Sequence, residues 1–293
     1  MTKALFGDRL NDAIERHGNC LCIGLDPHLS LLPTEFQVQP DDPQSDETAD
    51  AVWRFLSAVI EECAGRVPVV KPQAAFFEQL GWRGIRVMER LVQLASSRGL
   101  LVVLDAKRGD IDSTAAAYAR AYFGRASACR VDAITLNPYL GLDSLEPFIA
   151  AAREVGSGIF VLAKTSNGGS GLFQDRVCDG KPLFLRVAEA LRPHAASLTG
   201  ASGWSSVGVV AGATYPEQAA AIRKALPSSF LLLPGIGSQG ASAEEVRVVG
   251  VAQGVLFSSS RAVLFGPDKA SGDWRAALRG RIEAAVALAQ RST

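Results

Sequence analysis

The chain has 293 residues, 48% of them hydrophobic and 20% charged, which are the proportions of an ordinary globular protein. Its 30 Lys and Arg balance its 30 Asp and Glu, so it lacks the basic excess that usually marks a nucleic-acid binder. No apolar run approaches the roughly 18 residues that suggest a membrane span, and Met1 to Leu10 lacks the apolar core of a signal peptide, so the expected location is cytoplasmic.

The first 19 residues read as a short amphipathic helix ending near His17-Gly18. Apolar, β-branched runs then recur along the chain: Cys20–Leu25, Val67–Val70, Leu100–Leu104, Val131–Leu136, Gly158–Ala163, Ser206–Val210, Phe230–Leu233 and Val251–Phe257. Parallel strands buried on both faces have this composition. Between them lie segments of helical spacing: Glu47–Ala64, Phe76–Arg98, Ile111–Phe123, Leu142–Glu154, Leu183–Ala195, Pro216–Ala225, Ala243–Val248 and Gly272–Gln290. Asp112-Ser113-Thr114 and the run from Ser242 read as capped, acidic helix starts. Gln39–Asp50, acidic and proline-containing, reads as an exposed loop. Asn167–Gly180, rich in glycine, reads either as a ligand cover or as a solvated insertion.

Strand alternating with helix implies a parallel sheet, and eight such units imply α/β architecture of the (β/α)8 TIM-barrel kind. A doubly wound open sheet is the structural alternative. Barrels of this length are routinely one domain. The expectation is therefore one domain over 1–293, with an N-terminal helix at 1–19, barrel strands within 20–265 and a C-terminal helix at 270–290. The five cysteines, Cys20, Cys22, Cys63, Cys129 and Cys178, are odd in number and lack metal-type spacing, and the three histidines are scattered. Both patterns favour a reducing compartment and no structural metal.

In a barrel the site gathers at the C-terminal strand ends, and here these ends are polar. They carry Asp26, Lys71 with Gln73, Asp105 with Lys107, Asn137, Lys164 to Asn167, Gly212 to Thr214, Pro234 to Gly240, and Ser258 to Arg261. Asp105 and Lys107 stand two apart on one strand, so both should point into the site, within reach of Lys71. Opposite charges held together keep one another ionised. The bland alternative is a structural ion-pair network at the rim. Gly235 and Gly237 followed by a helix N-terminus, with Arg261 after the next strand, suit a phosphate, although a plain tight turn would need the same glycines.

The run Leu104-Asp105-Ala106-Lys107-Arg108-Gly109-Asp110-Ile111-Asp112-Ser113-Thr114 resembles the signature of the orotidine 5′-phosphate decarboxylase family, in its longer bacterial (type 2) subgroup. Supporting likeness lies in Gly24-Leu25-Asp26, Val70-Lys71-Pro72-Gln73, Asn137-Pro138-Tyr139-Leu140-Gly141, Ala163-Lys164-Thr165-Ser166-Asn167, Pro234-Gly235-Ile236-Gly237-Ser238-Gln239-Gly240 and Ser260-Arg261. It spans about Cys20 to Leu264. The resemblance implies that Lys71, Asp105, Lys107 and Asp110 form a catalytic Lys-Asp-Lys-Asp array. It also implies a homodimer in which Asp110, Ile111 and Thr114 serve the partner's site. Asp26 and Lys71 would contact ribose hydroxyls, Ser166 the pyrimidine, Pro234 the base pocket, and Gln239 and Arg261 the phosphate. Gln73, Asn137, Thr165, Gly237 and Ser260 complete the expected substrate contacts. The implied substrate is orotidine 5′-monophosphate and the product uridine 5′-monophosphate, formed without cofactor or metal and without nucleic-acid or membrane partners.

Three other readings fit parts of the pattern. One is a sugar-phosphate barrel with a divalent metal on Asp26, Asp105 and Asp110. Another is a Schiff-base aldolase using Lys71, Lys107 or Lys164. The third is a barrel that binds a phosphate ligand without catalysis.

Overall fold

Segments rich in Val, Ile, Leu and Phe leave no polar face for water, so they are stable only when covered on both sides. They form strands β1 (Leu21–Leu25), β2 (Val69–Pro72), β3 (Leu101–Arg108), β4 (Ala133–Leu136) and β5 (Gly158–Lys164). After β5, β6 (Val177–Cys178) and β7 (Lys181–Pro182) make a small antiparallel hairpin outside the main sheet. The sheet continues with β8 (Ser205–Ala211), β9 (Ser229–Pro234) and β10 (Val255–Ser259). All eight strands of the main sheet pair in parallel, and β10 returns to β1, Leu21 facing Phe257 and Ile23 facing Ser259, which closes the barrel. The computed structural model describes residues 4–38, 42–212, 215–234, 253–266 and 273–290. The expected helix over 243–248, the run starting at Ser242 and the first residues of the Val251–Phe257 run lie outside these.

Helices pack around the barrel: α1 (Phe6–His17), α2 (Asp46–Cys63), α3 (Ala74–Glu78), α4 (Gly81–Ser97), α5 (Asp112–Phe123), α6 (Glu146–Val155), α7 (Gly171–Gln174), α8 (Leu183–Ser197) and α9 (Pro216–Ala225), then the turn Arg261–Leu264 and the helix Trp274–Leu288. Phe55, Phe77, Phe148, Phe160 and Phe230 fill the core, none more than 1% exposed.

Helix α1 lies across the N-terminal ends of β4, β5 and β8, opposite the polar strand ends. Its buried stripe is Phe6, Leu10, Ala13 and Ile14, and Gly18 ends it in the left-handed conformation. Arg9 pairs with Asp132 and donates to the Gly156 carbonyl at 2.9 Å. The Asp8 carboxylate accepts from the amides of Ala201 and Ser202.

Local chemistry moves several expected boundaries. Asp46–Asp50 belongs to α2 rather than to an exposed loop. Ser45 caps that helix by accepting from the Thr48 amide at 3.1 Å, and Asp46 and Glu47 in the first turn favour the helix dipole. The single helix expected over Phe76–Arg98 divides into α3 and α4 at the turn Gln79-Leu80, where Gly81, the first residue of α4, takes a positive φ of 64° that an uninterrupted α-helix does not allow. Helix α5 starts from Ile111 with no side-chain cap, so Asp112-Ser113-Thr114 is not the capped start expected of it. The Leu142–Glu154 segment opens as a 3-10 turn, Leu142–Ser144, before α6 begins at Glu146 with Pro147 behind it.

Candidate active site

At the C-terminal ends of β2 and β3 a carboxylate is ringed by donors. Asp105 is 9% exposed at the end of the apolar part of β3. Its Oδ2 accepts from Lys71 Nζ and from Gln73 Nε2, each at 3.0 Å. Its Oδ1 accepts from Lys107 Nζ at 2.7 Å and from Thr135 Oγ1 at 3.0 Å. Burial alone would raise the pKa of this carboxyl, but the charges of Lys71 and Lys107 outweigh it and hold Asp105 well below the usual carboxylate range. Burial likewise works against the ammonium of Lys71, and the nearby carboxylates of Asp105 and Asp26 more than restore it, pushing its pKa up. Both groups are charged at neutral pH. With two donors on each oxygen, Asp105 presents no open face to a cation.

Lys107 differs from the others in exposure. Its side chain is 47% exposed, against 6% for Lys71 and 12% for Asp105. It is the member of the array that can reach a ligand in the barrel mouth. Simple strand alternation does not place it there. The β3–β4 register shifts between Leu104 and Arg108, and Lys107 has φ 48°, in the left-handed region. For a residue with a long side chain that conformation is costly and persists only when neighbours enforce it. Thr135, buried on β4, is such a neighbour: its Oγ1 accepts from the amides of Ala106 at 3.0 Å and Lys107 at 2.9 Å. The sequence reading missed Thr135, because a threonine inside Ala133–Leu136 reads as strand filler. Gln73, expected to touch substrate, donates its Nε2 to Asp105.

Just past the end of β1, Asp26 Oδ2 accepts from Ser260 Oγ at 2.5 Å, which joins two expected substrate contacts. The bond needs Gly24: a Cβ there would lie 2.6 Å from the Ser260 Cβ. The other oxygen of Asp26, Oδ1, is buried and has no hydrogen-bond partner among the described residues. A buried carboxylate oxygen without a donor is costly, and a ligand hydroxyl would satisfy it.

Other expected residues stand apart from this cluster. Asp110 accepts from the amide of Ile111 at 2.9 Å, and no bond joins it to Lys107. Thr114 is exposed on the first turn of α5 and Ile111 is 50% exposed. Asn137 accepts from the Tyr139 amide at 3.0 Å, which turns its side chain into its own loop. Thr165 is bound twice by Gln174: its amide donates to Oε1 at 2.9 Å and its Oγ1 accepts from Nε2 at 2.8 Å. Ser166 lies against Gly212, whose added Cβ would meet the Ser166 backbone at 3.2 Å. Pro234 ends β9 opposite Ser258, and Arg261, exposed, opens the turn after β10. Gly237 and Gln239 lie outside the described residues. Among the described residues, no helix is long and apolar enough to cross a membrane.

The segment after β5 is more structured than its glycine content suggests. It contains a 3-10 turn at Gly168–Ser170, helix α7 and the β6–β7 hairpin. Its base is held by Lys164, fully buried at the end of β5, which donates to Asp175 at 2.7 Å and to Ser170 Oγ at 3.2 Å and sits 4.4 Å from the Tyr215 ring centroid.

Known proteins resemble this chain over most of its length. Residues 19–270 match the model of the "Orotidine 5'-phosphate decarboxylase / HUMPS family". An orotidine 5′-phosphate decarboxylase of Rhodopirellula baltica is 47% identical over 266 residues, covering 89% of this chain and 88% of that protein. A crystal structure from Streptomyces avermitilis ma-4680, described as a candidate orotidine 5′-phosphate decarboxylase, superposes with a TM-score of 0.80 at 40% identity, covering 98% of each chain. The OMP decarboxylase structure from Leishmania donovani gives 0.73 at 33% identity, covering 96% of this chain and 98% of that one.

Proposed function

The chain belongs to the orotidine 5′-phosphate decarboxylase / HUMPS family, and from that premise we propose how its site performs the reaction and which part each residue takes. The reaction is decarboxylation of orotidine 5′-monophosphate to uridine 5′-monophosphate and CO2, in de novo pyrimidine biosynthesis. The observation that carries the residue assignment is the Asp105 carboxylate clamped between Lys71 and Lys107, with only Lys107 open to the mouth.

In the proposed mechanism the bond from C6 of the pyrimidine to the carboxylate breaks, and its electron pair stays on C6 as CO2 leaves. The ammonium of Lys107 stabilises that developing charge and then gives C6 a proton, ending as a neutral amine that solvent reprotonates. The net consumption is one proton per turnover, and no cofactor enters. Fixed charges of this kind stabilise a transition state without reorganising at the moment of reaction. Asp105 faces the departing carboxylate, and repulsion between the two relaxes as CO2 leaves. Lys71 and Gln73 keep Asp105 anionic and in place while Lys107 turns to the substrate. Asp26 Oδ1 accepts from a ribose hydroxyl, Ser166 and Pro234 border the base, and Arg261 with Gln239 takes the phosphate. Remote phosphate contacts contribute to the rate by orienting the ring.

The finer assignment is to the longer bacterial (type 2) subgroup, supported by Asn137-Pro138-Tyr139-Leu140-Gly141 and Lys164-Thr165-Ser166-Asn167. The working form is a cytoplasmic homodimer of chains that are each one domain over 1–293. Dimerisation is favoured by Ile111, Tyr139, Leu140 and Leu142, large apolar side chains left exposed on the connections after β3 and β4. In the dimer Asp110, Ile111 and Thr114 complete the partner's site.

The test follows the loss of orotidine 5′-monophosphate absorbance with purified protein, with and without a chelator. Turnover should be unaffected by chelator and should fall by at least about 100-fold in Lys107→Ala, with the fold intact by circular dichroism. A wild-type chain that leaves the substrate untouched would sink the reaction. Substantial turnover by Lys107→Ala would sink the proton-donor role.

A further inference from the structure

We propose that Thr135 is a positioning residue for this decarboxylation, holding Lys107 in its left-handed backbone and Asp105 in one orientation through a single hydroxyl. The inference rests on the reaction assigned above and extends it to a residue on the neighbouring strand.

A threonine hydroxyl has one hydrogen to donate and two lone pairs to accept with. At Thr135 both lone pairs are engaged, by the consecutive amides of Ala106 and Lys107 at 3.0 and 2.9 Å. The remaining hydrogen then has one place to go, Asp105 Oδ1 at 3.0 Å. Thr135 is 1% exposed, so water does not compete for any of these bonds. A hydroxyl that could rotate would be a weak anchor. This one is locked at all three positions, and each bond fixes a different piece of the array.

The two amide bonds account for the irregularity in β3. Strand pairing with β4 is lost between Leu104 and Arg108, so the amides of residues 106 and 107 need another acceptor, and buried amides without one are costly. Thr135 Oγ1 supplies it from across the gap. Lys107 at φ 48° is thereby stabilised in a conformation that long side chains avoid, and its ammonium sits above Asp105 at 2.7 Å rather than further along the strand.

The third bond matters during turnover. When Lys107 gives its proton to carbon, Asp105 Oδ1 loses its charged donor. The Thr135 hydroxyl remains on that same oxygen, and Lys71 and Gln73 remain on the other. Asp105 therefore keeps its place while its neighbour moves. Valine at position 135 would preserve the shape and remove all three bonds. Serine would keep the hydroxyl.

The test compares Thr135→Val and Thr135→Ser with the wild type in steady-state kinetics, in affinity for uridine 5′-monophosphate and in thermal unfolding, together with a crystal structure of Thr135→Val. Thr135→Val is expected to lose roughly 10- to 100-fold in kcat, as small misplacements of reacting groups do. Its KM and product affinity should stay within about threefold of wild type, as they do when transition-state positioning alone is lost. Thr135→Ser should recover most of kcat, and in the Thr135→Val crystal Lys107 should leave the left-handed region. Unchanged kcat in Thr135→Val overturns the proposal, as does a loss of kcat matched by product affinity and not rescued by serine. If the wild type itself fails to turn over the nucleotide, the reaction assignment fails. The Thr135→Val crystal still decides whether Thr135 holds Lys107, and a φ unchanged from wild type would refute that.

Discussion

Two buried carboxylates show how the same residue type is put to different uses. Asp105 takes four donors, one of them about half in solvent. Glu62 on α2 is fastened on every side: Arg275 and Arg279 donate to it at 2.8 and 2.9 Å, and Arg66 lies 3.7 Å away. The hydrogen bond from Arg279, helped by Arg275, outweighs the opposing effect of burial and pulls the Glu62 carboxyl from 4.5 to about 2. A carboxyl whose pKa is depressed on folding adds stability above its unfolded pKa and loses it as the pH falls through the folded one. Its contribution should therefore be complete above about pH 4.5 and fade toward pH 2. Glu62→Gln is expected to lower stability at pH 7 and to flatten the decline between those limits, as read from denaturant unfolding at a series of pH values. An unchanged slope would remove Glu62 from the acid response. Position at the ends of apolar runs made Asp105, Lys107 and Lys71 legible, since charged residues there have few structural uses. The two-residue spacing alone did not predict how Lys107 reaches the mouth. Thr135 was not legible, because its role depends on backbone amides freed by a register shift, which side-chain identities do not encode. Gln73 could be placed at the site but not given its partner for a related reason: its amide fits either a ligand or Asp105.

The strands and most helices could be read from periodicity because burial on both faces, or on one stripe, dictates residue type. Boundaries were harder. Gly81 breaks a helix whose apolar spacing continues through it, and Ser45 begins α2 inside a stretch whose acidity suggests solvent. The segment after β5 is the clearest case. Its glycines suggest a loop, yet Lys164 organises it from beneath. An ammonium with no exposure requires partners, and it finds them in Ser170 and Asp175 of that segment and in the Tyr215 ring. Lys164→Met keeps the stem and removes both the charge and its burial cost, and the Asp175 carboxylate left behind is 44% exposed and stays hydrated, so global stability should change by no more than about 1 kcal/mol. The segment itself should loosen. Brief trypsin digestion should then cut after Arg176, which is exposed next to Asp175, faster than in wild type. Equal cleavage rates would mean that the Thr165–Gln174 bonds and the β6–β7 hairpin hold the segment without Lys164.

At the scale of the molecule, the barrel divides its work between its ends. The polar strand ends carry the array, and the opposite ends are fastened by α1 through Arg9 and Asp8. Asp110 accepts from the amide of Ile111 rather than from its own Lys107, and the apolar side chains of Ile111, Tyr139 and Leu140 are exposed. On the proposed shared-site dimer, a chain bearing Asp110→Ala mixed with one bearing Lys107→Ala should recover activity. Each hybrid dimer contains one site with both residues intact, so up to about half of the wild-type activity per hybrid is expected. Hybrids confirmed by mass spectrometry yet inactive would place Asp110 and Lys107 in the same chain's site.

The end fastened by α1 is also where distant parts of the chain meet. Asn19 bridges to Gln290 and the amide of Cys20 donates to the Ala289 carbonyl at 3.2 Å, so the start of β1 and the end of the last helix share one patch on the floor of the barrel. A tether attached beside Gln290 would leave from that floor. Protein immobilised there would stand with its mouth toward the solution, and the support would not cover the strand ends that carry the array.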